Sequence, residues 1–160
     1  MTEQIREVYS LLIPIAGAKL MVPRTAVREV LGYSPPRDCP EDAPEWFLGM
    51  VGWEDDRAPL VSLEAALGRG VPETGRRTRI TYLHALQGKL NPPVIALLTQ
   101  GYPYLVRVTE GVLSTFDEPD FPDDAPILTQ MKMANERPLV PDLDRLEDWL
   151  IDLVPAPVTE

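Results

Sequence analysis

Short apolar runs broken by glycine and proline dominate the chain, and they predict strands and turns over long helices. Residues 8–15 (VYSLLIPI) are almost continuously apolar, Gly17 and Ala18 make a turn, and residues 19–22 resume the run, which predicts a hairpin. Residues 25–31 alternate, with Ala26, Arg28 and Val30 against Val27, Glu29 and Leu31. One of those faces is only partly apolar, so this strand is expected at an edge or against a partner. Residues 34–44 (SPPRDCPEDAP) read as a loop, and residues 47–53 and 57–63 predict a second hairpin about an acidic turn. A short helix follows over residues 63–67, with Ser62 able to cap it and Gly68 and Gly70 ending it.

The second half keeps the same style without repeating the sequence. Residues 79–86 (RITYLHAL) alternate, whereas residues 93–99 (PVIALLT) are continuously apolar and therefore expected to be buried. Gly101, Tyr102 and Pro103 turn the chain into a strand over 104–108, followed by one at 111–115. Residues 116–126 read as an acidic loop, and residues 127–133 and 137–140 as a last pair of strands. Residues 142–153 place Leu143, Leu146, Trp149, Leu150 and Leu153 at helical spacing, with Asp142 as N-cap. The pattern is mainly β with a short helix and a C-terminal helix.

Composition sharpens this picture. A chain of 160 residues is the size of one domain and long enough to bury a core without staples. It carries 18 prolines spread along its length, about twice the usual share, and proline breaks helix interiors. The net charge of −10 argues against a nucleic-acid groove, since neutralising phosphates needs clustered Lys and Arg. The one dense basic group, Arg76, Arg77 and Arg79, reads as the start of a strand after a turn. A single cysteine, Cys39, fits a reducing compartment. The apolar run over 11–18 is too short to span a bilayer. Glu3, Arg6 and Glu7 before it do not make the basic region of a secretory signal. A cytoplasmic domain with no membrane insertion is the expectation.

Candidate chemistry is sparse. His84, the only histidine, falls in an expected strand with no nucleophile or carboxylate spaced to serve it. Cys39, in a proline-rich loop with acidic neighbours, does not read as a reactive nucleophile. No P-loop, dinucleotide-binding glycine pattern or Cys/His metal spacing is present. The expectation is a protein that is not an enzyme, with no catalytic residues, no metal and no cofactor.

The most informative stretch is residues 46–67, WFLGMVGWEDDRAPLVSLEAAL. It resembles the central motif of CheW-like coupling proteins: aromatic, hydrophobic, x-Gly-Val-x-Asn-Leu-Arg-Gly, then x-hydrophobic-x-Pro-hydrophobic-x-Asp-Leu. Gly49, residues 50–53, Pro59, Leu60, Val61 and Leu63 fall at matching positions. The Asn-Leu-Arg-Gly core is replaced by Gly52-Trp53-Glu54-Asp55. Upstream, Val27, Glu29, Val30, Gly32 and Tyr33 fit the family's opening segment in register. Residues 94–114 and 137–150 resemble its later strand pair and its closing strand and helix at the level of pattern. Trp53 and the run at 11–15 look closest to the twitching-motility branch, whose members serve type IV pili.

The resemblance implies a single domain over 1–160 made of two five-stranded, SH3-like barrels that share a core. The first barrel is expected over about 16–78 and the second over about 79–140, closed by the N-terminal strand and the C-terminal helix. It also implies an adaptor that binds the regulatory domain of a CheA-type histidine kinase and the cytoplasmic tip of a methyl-accepting chemoreceptor. Partner-binding candidates are Val27 and Glu29 on the kinase-facing edge, and Gly49, Trp53, Glu54 and Arg57 around the hairpin. Family members carry an Arg where this chain has Glu54, and Arg57 lies three residues on. The acidic turn is read either as a solvated hairpin or as a contact of inverted charge that wants a basic partner. Gly49 also fits a close backbone approach, and Trp46 and Trp53 also fit a core. Two alternatives stay open: a kinase-binding modulator that has lost receptor binding, and a small-ligand-binding β-barrel.

Overall fold

A computed structural model describes residues 7–109, 113–115, 121–133 and 135–154. Glu3, Arg6, the start of the strand expected at 111–115 and residues 116–120 of the expected acidic loop lie outside the described residues. The chain is mainly β. Strands β1 (Glu7–Ile15) and β2 (Ala18–Pro23) form the first hairpin, and Gly17 takes the positive φ of +76° that its turn requires. A 3-10 turn at Arg24–Ala26 leads into β3 (Val27–Gly32), replacing the first two residues of the expected strand. Then follow β4 (Phe47–Trp53), β5 (Asp56–Val61), α1 (Leu63–Ala66), β6 (Arg79–His84) and β7 (Val94–Thr99). The chain closes with β8 (Tyr104–Thr109), β9 (Leu113–Thr115), β10 (Ile127–Met133), β11 (Leu139–Pro141) and α2 (Leu143–Leu150).

These strands build two sheets, ordered β8-β1-β2-β11-β10-β9 and β3-β6-β7-β5-β4. The middle of the chain makes one sheet and its two ends make the other. The division expected between residues 78 and 79 does not match this partition, because β6 and β7 pair with β3 and β5. The reason is apolar demand. β7 is buried along its whole length, so it needs cover on both faces and a strand on either side. The end-strands supply their own partner: β8 runs antiparallel to β1, with Leu12 opposite Tyr104 and Val8 opposite Val108.

Alternation along each strand sorts side chains into three apolar layers. Inside the five-stranded sheet lie Trp53, Leu60, Ile80, Tyr82, Ala96 and Leu98. Inside the six-stranded sheet lie Leu12, Met21, Val108 and Met133. Between the sheets, one larger layer joins Ile13, Leu20 and Leu139 to Phe47, Leu83 and Ile95, and takes in Leu146 and Leu150 of α2. The helix starts where Asp142 Oδ1 accepts from the Arg145 amide at 3.0 Å. Trp149 of α2 packs on Trp46, just before β4, with ring centroids 5.3 Å apart.

Two buried carboxylates reinforce the contact between the sheets. Glu147 of α2 accepts from the amides of Gln87 and Lys89, at 3.0 and 2.8 Å, in the loop between β6 and β7. Glu64 of α1 accepts from the Ala16 amide at 2.9 Å, in the turn between β1 and β2. Each satisfies backbone donors that the loop's own strands leave unpaired.

Gly49 sets the edge of the second sheet. It has φ +120°, and a Cβ there would stand 2.5 Å from the Arg37 carbonyl oxygen. The absent side chain lets residue 37 bridge to Met50, with N–H to O distances of 2.9 and 2.6 Å, so the loop after β3 covers the outer edge of β4. Gly49→Ala is expected to cost about 2 kcal/mol or more, by overpacking and backbone strain. A urea melt with an unchanged midpoint would contradict that close approach.

Candidate functional site

The hairpin of β4 and β5 ends in a two-residue turn, with Trp53 opposite Asp56 in register. Glu54 and Asp55 are exposed at the tip, and Glu54 holds a left-handed backbone with φ 52°. That region favours glycine, and a side chain there costs about 1–2 kcal/mol. Only one other non-glycine residue among those described has a positive φ: Asp38, at 60°. The two lie at the same end of the sheet, because Arg57, just after the turn, pairs with the Asp38 carboxylate. Both partners of this bridge are about half exposed, so it is worth less than about 1 kcal/mol. Its main effect is orientation: it holds the loop after β3 against the start of β5. Asp56 Oδ1 accepts from the Arg57 amide at 2.8 Å and stiffens the same corner.

Beneath the tip the support is aromatic. Trp53 is 4% exposed and stacks on Tyr82 at 4.5 Å between centroids. The Tyr82 hydroxyl donates to the Gly52 carbonyl at 2.8 Å, and the Arg28 guanidinium covers the Trp53 ring at 5.1 Å. Burial, and after it the charge of Glu29, pushes the Tyr82 phenol above its usual pKa, so it stays a donor at neutral pH. The hairpin direction is thus fixed by β6 through Tyr82 and by β3 through Arg28.

Among the described residues β3 is an edge of the same sheet and pairs with β6 alone. Its register shifts between Val27 and Glu29, a bulge that turns Arg28 over the Trp53 ring. Val27 leans on the shared layer, while Glu29, Leu31 and Gly32 are exposed. Of the residues expected to contact partners, Val27 and Glu29 therefore line this edge, and Glu54 and Arg57 form the tip. Gly49 and Trp53 are buried and offer no side-chain surface. Their role is to shape the tip from within. Asp38, Arg28 and Tyr82 were not legible as part of this site, since each joins it through a pairing distant in sequence.

A second surface lies beside the shared layer. Leu11 of β1 packs against that layer and stands opposite Leu105 of β8, which is 51% exposed; Tyr9 nearby is 46% exposed. This apolar strip starts at the shared layer with Leu11 and runs out along β1 and β8. Glu64 sits deeper, and burial pushes its carboxyl above the usual range against the opposing hydrogen bond from Ala16. Among the described residues no three His, Cys, Asp or Glu side chains converge as a metal site. Cys39 is exposed, and its thiol donates to the Phe47 carbonyl at 3.3 Å. No helix among the described residues is long and apolar enough to cross a membrane.

Against known proteins, the sequence profile of the CheW-like domain matches residues 10–146. The fold is similar to that of the scaffolding protein TtCheW from Thermoanaerobacter tengcongensis, with a TM-score of 0.69, 15% identity and coverage of 88% of each chain. At that identity the likeness speaks to fold alone. The curated protein sequences contain no match.

Glu64 yields a prediction with a definite sign. A carboxyl whose folded pKa lies above its unfolded value favours the folded chain at low pH, and that contribution is lost as pH rises through the raised value. Glu64→Gln removes the charge and keeps an acceptor for Ala16. The variant is expected to match or exceed the parent in stability above neutrality, with a flatter pH dependence above the ordinary value of 4.5. Urea midpoints at about pH 5 and about pH 8 test this; a variant that loses stability as pH rises more steeply than the parent would contradict it.

Proposed function

Because the chain belongs to the CheW-like domain family, we propose that it is a non-enzymatic adaptor of the cytoplasm. It couples a methyl-accepting chemoreceptor to a CheA-type histidine kinase in a chemosensory array. The β3 edge, with Val27 and Glu29, docks the kinase regulatory domain, where an edge strand offers backbone donors and acceptors. The hairpin tip and the apolar strip of Tyr9, Leu11 and Leu105 take the helical tip of the receptor. Control of the kinase then arises from geometry and population shift, with no covalent chemistry in this chain. We assign it to the branch serving type IV pili, on the likeness carried by Trp53 and residues 11–15.

The observation that carries this reading is Glu54. A charged, exposed side chain occupies a backbone conformation that glycine would hold at lower cost, and such strain gathers at functional sites. With Asp55, Asp56 and Asp38 beside it, the tip suits a basic partner surface. The same residue favours a second reading. If this tip no longer accepts a receptor, the protein is a modulator that binds the kinase and competes with a true coupler.

Pull-downs against the purified kinase regulatory domain and a receptor cytoplasmic tip, separately and together, distinguish these readings. Binding to both is expected. Kinase alone selects the modulator, and binding to neither overturns the assignment. Glu54→Arg is expected to weaken receptor binding by about tenfold or more, roughly 1.4 kcal/mol, with no fall in thermal stability. Unchanged affinity with unchanged stability would return the turn to a solvated hairpin.

A further inference from the structure

The basic group at residues 76–79 belongs to neither docking surface. Arg76 and Arg77 are exposed in the turn that leads into β6, and Thr78 after them is buried. The turn is held closed: the Gly75 amide donates to Thr78 Oγ1 at 2.8 Å, and the Thr78 amide donates to the Gly75 carbonyl at 3.1 Å. Arg79 Nη1 donates to the carbonyls of Arg76 and Thr78, at 2.8 and 2.9 Å, and its guanidinium lies over the Tyr102 ring at 4.9 Å. Tyr102 itself is 60% exposed. The outcome is an ordered cationic patch with an aromatic ring beside it, and Glu73 is the one acid of residues 67–78.

The acidic hairpin tip stands at the other end of the same sheet. β5 runs parallel to β7, with Leu60 beside Ala96, and β7 ends with Thr99 opposite Arg79. The tip precedes the start of β5, and the basic turn lies level with its far end, roughly 20 Å away at the rise of a strand. A Debye length is about 8 Å at physiological salt, so the two patches do not neutralise each other within one molecule. Among the described residues, the side chains of Arg76, Arg77, Glu54 and Asp55 enter no ion pair. Four acids at the tip, Glu54, Asp55, Asp56 and Asp38, face only Arg57 and Arg28, which leaves the tip net negative. Three arginines against Glu73 leave the basic turn net positive.

We propose that this chain self-associates head to tail, with Glu54 and Asp55 of one copy seated on Arg76, Arg77 and Tyr102 of the next. Arginine and carboxylate form the strongest charge-assisted pairs, and Arg and Tyr are frequent interface anchors. Glu54 stands where the family pattern has Arg, and that inversion makes the tip complementary to the chain's own basic turn. The net charge of −10 opposes the approach of two copies, but charges more than a Debye length from the contact are screened. The two patches differ, so the contact is heterologous, and copies add into an open chain or close into a ring. This goes beyond the adaptor reading: a copy seated on the tip excludes a receptor from it.

Sedimentation velocity of the full chain over increasing protein concentration tests the proposal. The weight-average sedimentation coefficient is expected to rise with concentration at about 0.1 M salt and to stay at the monomer value at about 1 M. Two charge-reversed variants, Glu54→Arg with Asp55→Arg and Arg76→Glu with Arg77→Glu, should each weaken association by about tenfold or more. An equimolar mixture of the two should regain it, because each then carries the patch that the other needs. Circular dichroism confirms that both variants fold, and a gain on mixing cannot arise from a folding defect. A chain that stays monomeric at both salt concentrations, as it would if the basic turn served a different acidic protein, overturns the proposal. Association that persists at high salt or in both variants, or a mixture that stays monomeric, overturns it as well.

Discussion

Leu20 and Leu139 from one sheet, Leu83 and Ile95 from the other, and Leu146 and Leu150 of α2 belong to a single buried layer, and every exposed feature takes its position from it. Neither sheet is self-sufficient: each has its own small interior, but the largest apolar layer exists only when both are present. Burial of apolar surface is the main favourable term in folding and has no direction of its own. Direction comes from Glu64 and Glu147, whose hydrogen bonds to Ala16, Gln87 and Lys89 fix which turn of one sheet meets which helix of the other. An acidic group in an apolar layer is costly unless it satisfies backbone donors, and both of these do.

From that layer outward the site follows. The 3-10 turn at Arg24–Ala26 delivers β3 from the shared layer to the rim of the second sheet, where among the described residues it is paired on one side. Trp53 and Tyr82 fill the interior of that sheet and aim the hairpin, and Gly49 admits the loop whose Asp38 then holds Arg57. The exposed acids at the tip are thus mounted on buried aromatic support. A rigid mount reduces the ordering cost of docking, which helps a scaffold that binds through geometry.

Much of the fold was legible in the sequence because local signals decide strands, turns and caps. The alternation in residues 79–86, the continuous apolar run at 93–99 and the Ser62 and Asp142 caps all appear as elements where the pattern places them. What local signals do not encode is which strand pairs with which. That is why β6 and β7 were expected in the wrong half: their apolar content is visible, but their partners β3 and β5 lie far off in the chain. The site divides in the same way. Glu54 stood out as a departure from a family pattern, whereas Asp38 lay in a proline-rich loop with nothing to mark its pairing with Arg57. Trp53 shows the opposite limit, since a tryptophan beside a turn suits an interface or a core, and only its contact with Tyr82 decides.

The proposal that this chain docks a kinase regulatory domain through the β3 edge is tested most directly by backbone amide exchange, measured with and without that domain. Protection is expected along Val27–Gly32, an edge strand among the described residues, with the β7 amides slow in both states. Protection confined to other segments while Val27–Gly32 exchanges unchanged would contradict that mode of binding.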